Sequence, residues 1–279
     1  LRPPQPRDFS PWSVQTHQRM ADDVVNGGFQ PDIVHGHNLG GTIAAARIAR
    51  GLGVPYVSTE HRSSWLNADS AKHLAEFWRR DLTDCAAVAC VGEALRRSFS
   101  ERVPELGGRV RVIPNVVDER FFENRERRMP FAGPTRLAIV GYLKEIKGHA
   151  LLLRAFARVY GSAAQSELHV VGDGPHMPRL KALSEELGIA RSVRWHGAVS
   201  RAGVVQILGD VTALAVASSV ETFSVAAIEA LASGRPVIST KCGGPEYFVR
   251  ESDGVLANDH SIEAMSAALR EYERRRPEF

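Results

Sequence analysis

The chain has 279 residues, 44% of them hydrophobic and 24% charged, which is room for one large or two medium domains with a core that needs no disulfide or metal staples. Lys and Arg outnumber Asp and Glu by only 3, split as 18 against 16 over residues 1–130 and 17 against 16 beyond them, so a basic arm and a charge-driven nucleic-acid binder are excluded. No run of 18 apolar residues occurs, and 24 Gly and 15 Pro are too ordinary a share for a collagen-like or low-complexity chain.

The opening stretch, with Pro3, Pro4, Pro6 and Pro11, reads as a loop leading into a helix near Val14–Val25. From Pro31 short β-branched runs alternate with segments of helical length. The strands are Pro31–His35, Val54–Thr59, Ala86–Val91 and Arg109–Ile113, and helices fall at Gly40–Arg50, Lys72–Asp81 and Glu93–Ser100. Cys85 and Cys90 lie in this half and Cys242 in the next; with no C-x-x-C pair and no zinc spacing they read as small core residues in a reducing compartment, so the cytoplasm is expected.

The alternation breaks between Asp118 and Thr135, where FFENRERRMPFAGPT mixes charge, Pro and Gly. That reads as a linker over 119–135, with Arg125–Arg128 as solvated surface. A second series follows, with strands Leu137–Val140, Leu168–Val171, Val193–His196, Ala213–Ala217 and Pro236–Thr240. Its helices are Lys147–Val159, Met177–Glu186, Arg201–Leu208, Val225–Ala232 and Ser261–Arg275. Such βαβ repetition predicts an α/β chain of two Rossmann-like domains facing a cleft, 1–118 and 136–279. Ligands of such sheets bind beyond the carboxyl ends of the strands, and the motifs gather there.

After the Ala213–Ala217 strand comes Ser218-Ser219-Val220-Glu221-Thr222-Phe223-Ser224-Val225, opening a helix that contains Glu229. The amides of Thr222, Phe223 and Ser224 at a helix start suit an anion. Two carboxylates in E-x7-E spacing beside an anion site suit the hydroxyls of a sugar or ribose. The spacing equally allows Glu221 to cap the helix and Glu229 to lie on the surface. Gly172-Asp173-Gly174-Pro175 is a tight strand-to-helix turn. Gly141-Tyr142-Leu143-Lys144-Glu145-Ile146-Lys147-Gly148 sets a Lys near a helix start, which is either a phosphate contact or a solvated cation. Cys242-Gly243-Gly244-Pro245-Glu246 permits close backbone approach to a ligand, and Pro114-Asn115-Val116-Val117-Asp118 closes the first series. No strand is followed by G-x-G-x-x-G, which argues against a dinucleotide oxidoreductase.

In this order GYLKEIKG, VVGDGP, HGAVSR, SSVETFSVAAIEALASGRPVIST and CGGPE, preceded by PDIVHGH, VPYVSTEH, VACVGEAL and RVIPNVVD, resemble the retaining family-4 glycosyltransferases of the GT-B fold. The resemblance covers about residues 31–257. It implies transfer of a sugar from a nucleoside-diphosphate sugar to a glycan, lipid-linked or small-molecule acceptor, with retention and without a metal or cofactor. The donor is a UDP-, GDP- or ADP-sugar, with UDP foremost. Nucleic acid is not a partner, and the enzyme works in the cytoplasm or in peripheral contact with the inner membrane.

The resemblance also assigns residues. Glu221 meets the donor sugar and Glu229 the ribose. Lys147 holds the diphosphate, with Thr222, Phe223, Ser224 and Val225 against sugar and distal phosphate. Gly141, Gly172 and Gly174 line the donor, and Gly197, Ala198 and Val199 read the base. His61 faces the donor sugar as a neutral imidazole. Tyr142 stands where the family carries an Arg, which also leaves open a non-catalytic sugar-nucleotide binder; a GT-B epimerase is the other alternative. His35 and His37 end a strand without a third ligand, so acceptor or structural contact is expected there rather than a metal. Against this family the chain reads as a fragment lacking amino-terminal strands and carboxyl-terminal helices. Such a fragment is expected to leave an open hydrophobic sheet edge, to bind donor weakly and to transfer poorly.

Overall fold

In a computed structural model, residues 11–126, 133–161 and 166–279 are described. The amino-terminal Pro loop, Arg127 and Arg128 of the basic run, and 127–132 of the expected linker lie outside them. The chain divides into two compact units, Leu1–Asn115 and Val116–Phe279.

The first unit carries helix α1 (Pro11–Asn26) and a parallel sheet in the order β1 (Val34–His37), β2 (Tyr56–Glu60), β3 (Ala87–Cys90), β4 (Val110–Val112). Helices α2 (Asn38–Leu52), α3 (Ala68–Asp81) and α4 (Glu93–Arg102) connect the strands. Ala44, Ala45, Ala46 and Ala49 make the buried stripe of α2, so this helix lies close to the sheet. At Gly36 an added Cβ would sit 2.6 Å from the Gly41 carbonyl oxygen, and the carboxyl end of β1 therefore abuts the first turn of α2. Trp65, Trp78 and Phe99, all fully buried, stack beneath α3 and α4 with ring centres 4.3 and 4.9 Å apart.

The second unit is a six-stranded parallel sheet. Its order is β10 (Gly254–Ala257), β9 (Val237–Thr240), β8 (Ala213–Val216), β5 (Arg136–Val140), β6 (Glu167–Val171), β7 (Val193–Gly197). Helices α5 (His149–Tyr160), α6 (Met177–Glu186), α7 (Arg201–Asp210), α8 (Val225–Ala232) and α9 (Ile262–Arg275) complete it. Alternate residues of β5 serve two cores: Leu137 and Ile139 join Leu152, Phe156, Met265 and Leu269, while Ala138 joins Leu208, Leu214, Ala227 and Phe121. Burial on both faces is why these strands read as continuous apolar runs.

Two expectations are corrected. Over Glu119–Glu126 the segment read as linker is 3-10 helical and belongs to the second unit. Phe121 is fully buried there, and the Asn124 amide donates to the Val205 carbonyl at 2.7 Å. The sheet also has a sixth strand, β10, which periodicity missed. Among the described residues no helix is long and apolar enough to cross a membrane.

Candidate functional site

The loops leaving β5, β6 and β7 are stitched by backbone bonds. Gly141 N donates to Val171 O at 2.9 Å, Gly172 N to Gly197 O at 2.8 Å, and Leu143 N to Asp173 O at 2.9 Å. The contacts are too close for side chains: an added Cβ at Gly172 would lie 2.0 Å from the Gly141 carbonyl oxygen, and one at Gly174 2.7 Å from that of Leu143. Gly141, Gly172, Gly174 and Gly197 thus form one glycine-walled ledge at the carboxyl ends of three adjacent strands. Ala198 and Val199 follow Gly197, and the Ser200 hydroxyl caps α7 by accepting from Gly203 N.

At the next strand end Gly148, with φ +67°, starts α5 against the Ala217 carbonyl. Lys147, just before it, reaches the loop after β8. Its Nζ donates to Glu221 Oε1 at 2.7 Å, and the Ser218 hydroxyl donates to the same oxygen at 2.8 Å. Glu221 N is held by Cys242 O at 2.7 Å, and the Glu246 carboxylate accepts from Gly243 N at 2.7 Å, so the CGGPE loop buttresses this carboxylate from below. Glu221 is therefore an ion-pair partner and not a helix cap. Phe223 and Ser224 are buried and Val225 is exposed at the first turn of α8. Ser224 adopts φ +75°, an unfavourable conformation for a non-glycine residue that lets the chain turn into the helix. His149, the first residue of α5, is buried with no partner on either ring nitrogen. Burial, with Lys147 and His176 nearby, pushes its pKa down to about 4, so it is neutral.

Glu229 is buried within α8, which overturns its reading as a surface residue. Its Oε1 forms an ion pair with Arg201 Nη2 at 2.9 Å. Burial raises its pKa, the Arg201 charge opposes that rise and Asp118 adds to it. Tyr142 is half exposed, with the Lys144 ammonium 5.0 Å from its ring centre.

In the first unit, His61 follows β2. His37 Nδ1 and His61 Nε2 share a hydrogen bond of 3.1 Å, and the His35 ring centre lies 4.4 Å from that of His37. Burial first, then His37 and His35, lowers the His61 pKa, which favours the neutral ring. Glu60 beneath is fully buried and accepts from the amides of both His61 and Arg62 at 3.0 Å, gripping the loop that presents the imidazole. Asn38, the first residue of α2 and in a left-handed conformation, accepts from the same His61 amide at 3.1 Å. Among the described residues no cluster of three His, Cys, Asp or Glu could hold a metal.

The structure thus brings Lys147 to Glu221 and gathers Gly141, Gly172, Gly174 and Gly197 at the ends of three adjacent strands. Sequence reading missed Ser218, Arg201, Glu60 and the gripping role of Glu246. All four lay in motifs already singled out, Ser218 at the start of SSVETFSV, Glu60 in VPYVSTEH, Arg201 at the end of HGAVSR and Glu246 at the end of CGGPE, but none carried a role there.

Residues 121–278 match the family model "Glycosyl transferases group 1", and residues 1–121 match "Glycosyltransferase Family 4". A glycogen synthase of Mycobacterium tuberculosis is 26% identical over 255 residues, covering 87% of this chain and 60% of that protein. A D-inositol 3-phosphate glycosyltransferase of Corynebacterium jeikeium is 32% identical over 177 residues, 57% of this chain and 42% of that one. The chain therefore spans less than two thirds of the length of either relative. The crystal structure of Anabaena HepE with UDP and glucose superimposes with a TM-score of 0.76 at 17% identity, over 98% of this chain and 74% of that one.

Proposed function

Because the chain belongs to the group 1 glycosyl transferases, we propose that it moves a hexose from a nucleoside diphosphate to a hydroxyl of a glycan, lipid-linked or small-molecule acceptor, with retention and without a metal. The observation that carries this reading is the Lys147–Glu221 pair at 2.7 Å, a cation and a carboxylate held together at two strand ends beside the glycine ledge. A diphosphate arriving there competes for the Lys147 ammonium and turns the Glu221 carboxylate to the sugar hydroxyls.

The chemistry breaks the anomeric C–O bond to the diphosphate and forms a bond from the acceptor oxygen to the same carbon. The acceptor proton passes to the departing phosphate, on the same face. Negative charge grows on that phosphate, and Lys147 with the amides at the start of α8 stabilises it. No carboxylate serves as nucleophile. Neutral His61 takes a sugar hydroxyl, Glu229 the ribose, and the backbone at Gly197, Ala198 and Val199 the base. UDP is the first nucleotide to test, since the HepE structures hold UDP or UDP-glucose.

A thermal-shift and titration panel of UDP, GDP, ADP and their sugars tests the binding half. One of them is expected to stabilise the chain, and Glu229→Ala to weaken that nucleotide about 10- to 100-fold, the value of a hydrogen-bonded charged acceptor. Absence of binding by all of them, or an unchanged Kd in Glu229→Ala, overturns the reading. Turnover is expected to persist at full rate in EDTA; a strict divalent-metal requirement overturns the metal-free mechanism.

A further inference from the structure

The P-N-V-V-D run closing the first strand series ends in Asp118, which the reaction above does not use. Its carboxylate is fixed by its neighbour: Arg120 donates to both oxygens, at 2.9 and 2.7 Å, and its backbone N–H adds a third bond at 3.0 Å. Across from it lies Arg201, whose backbone is set by the Ser200 cap at the start of α7. Arg201 Nε stands 3.7 Å from Asp118 Oδ2, its guanidinium carbon lies 5.4 Å from the centre of the buried Phe121 ring, and its Nη2 is ion-paired with Glu229 Oε1 at 2.9 Å. Carboxylate, guanidinium and carboxylate thus run in a row, clamped on the aromatic face.

The end of that row is unfinished. The Glu229 side chain is only 8% exposed. Its Oε1 is held in the ion pair with Arg201, while no hydrogen bond to the carboxylate is formed among the described residues. A buried carboxylate with one oxygen held and one spare is an acceptor waiting for hydroxyl donors. Arg201 supplies a countercharge beside Oε1 that favours the ionised form and holds that end of the carboxylate in place.

We propose that Arg201, seated by Asp118 and Phe121, is a positioning residue that orients Glu229 to accept adjacent ribose hydroxyls, so that these residues together make the site select a ribonucleotide. This rests on the assignment of Glu229 to the ribose. It explains why PNVVD ends in an acid and why HGAVSR ends in a base: the two motifs meet at a third one, E-x7-E.

The test is titration calorimetry of the chain with UDP, or with GDP or ADP if the panel selects it, against its 2′-deoxy and 3′-deoxy analogues. The ratio of the two Kd values measures ribose discrimination, which a merely structural residue does not move. The unchanged chain is expected to prefer the ribonucleotide by about 10-fold or more. Arg201→Ala is expected to bring that ratio close to 1, as Glu229→Gln does, with partial rescue in Arg201→Lys and an intermediate ratio in Asp118→Asn. The double variant Arg201→Ala/Glu229→Gln should be no worse than either single one. If Arg201→Ala does not fold by circular dichroism, Arg201→Lys and Asp118→Asn decide alone. Discrimination lost in Glu229→Gln but kept in the Arg201 and Asp118 variants overturns the positioning role and leaves the ribose assignment standing. Discrimination kept in Glu229→Gln overturns that assignment and this inference with it.

Discussion

Glu221→Gln is expected to cut turnover about 10²- to 10³-fold while the melting temperature stays nearly unchanged. The amide is isosteric and keeps an oxygen to accept from Ser218, and the backbone bond from Glu221 N to Cys242 O does not involve the side chain. What disappears is the negative charge opposite Lys147. That pair is one third exposed on its Lys side, so its loss costs about 1 kcal/mol of stability or less. In the proposed reaction the same charge would hold the sugar while positive character grows at the anomeric carbon, which is why the Gln variant is expected to lose turnover. The measurement is the initial rate of nucleoside diphosphate release, set beside a thermal melt. Full turnover in the Gln variant removes Glu221 from the chemistry; a melt lowered by more than about 5 °C assigns it a structural role instead.

Gly148→Ala acts on the fold first and on the site through it. The residue has φ +67°, and a Cβ there would lie 1.7 Å from the Ala217 carbonyl oxygen and 2.6 Å from its carbon. The left-handed conformation alone costs a non-glycine residue about 1–2 kcal/mol. The clash adds more, because its partner is backbone just beyond β8, in a stretch buried from Val211 to Ser218, and no side chain can swing aside. The sum is about 4 kcal/mol or more, a large part of the roughly 5–15 kcal/mol that holds a domain together. The expected result is insoluble protein or a melting temperature lower by about 10 °C or more. Protein that survives should show the loss of turnover expected for Glu221→Gln, since Gly148 carries Lys147 to its partner. Gly188→Ala is the control: it has φ +69° with nothing within 4 Å of the added Cβ, so it pays for the dihedral alone. Equal melts for the two variants would show that the contact with Ala217 does not matter.

Strands are legible here because a parallel sheet covered on both faces writes itself as unbroken apolar runs such as Ala213-Leu214-Ala215-Val216. β10 escaped because Gly254-Val255-Leu256-Ala257 is short and starts on a glycine, and glycine ordinarily signals a turn. Here it is demanded by contact instead: a Cβ at Gly254 would fall 1.9 Å from the Val237 carbonyl oxygen of the neighbouring strand. The false linker had a similar cause. Phe121 and Asn124 anchor a segment whose other residues are charged except for the exposed Phe122, and two anchors in eight residues make no period. At the site, single motifs named Lys147, Glu221 and Glu229 one by one. Their partners did not follow, because Lys147 and Glu221 are 74 residues apart and meet only through the order of β5 and β8 in the sheet.

The stitched ledge has a consequence for anyone who wishes to retune this scaffold. Gly172 packs on the Gly141 backbone and Gly174 on that of Leu143, so a random library spread over 172 and 174 would consist mainly of chains that never mature. Variation is cheap a few residues away. Tyr142 projects into solvent with Lys144 over its ring, and Ala198 lies exposed at the end of the same ledge. The architecture separates a rigid anvil from a few adjustable teeth, and a chain built this way can change what it holds without relearning how to fold.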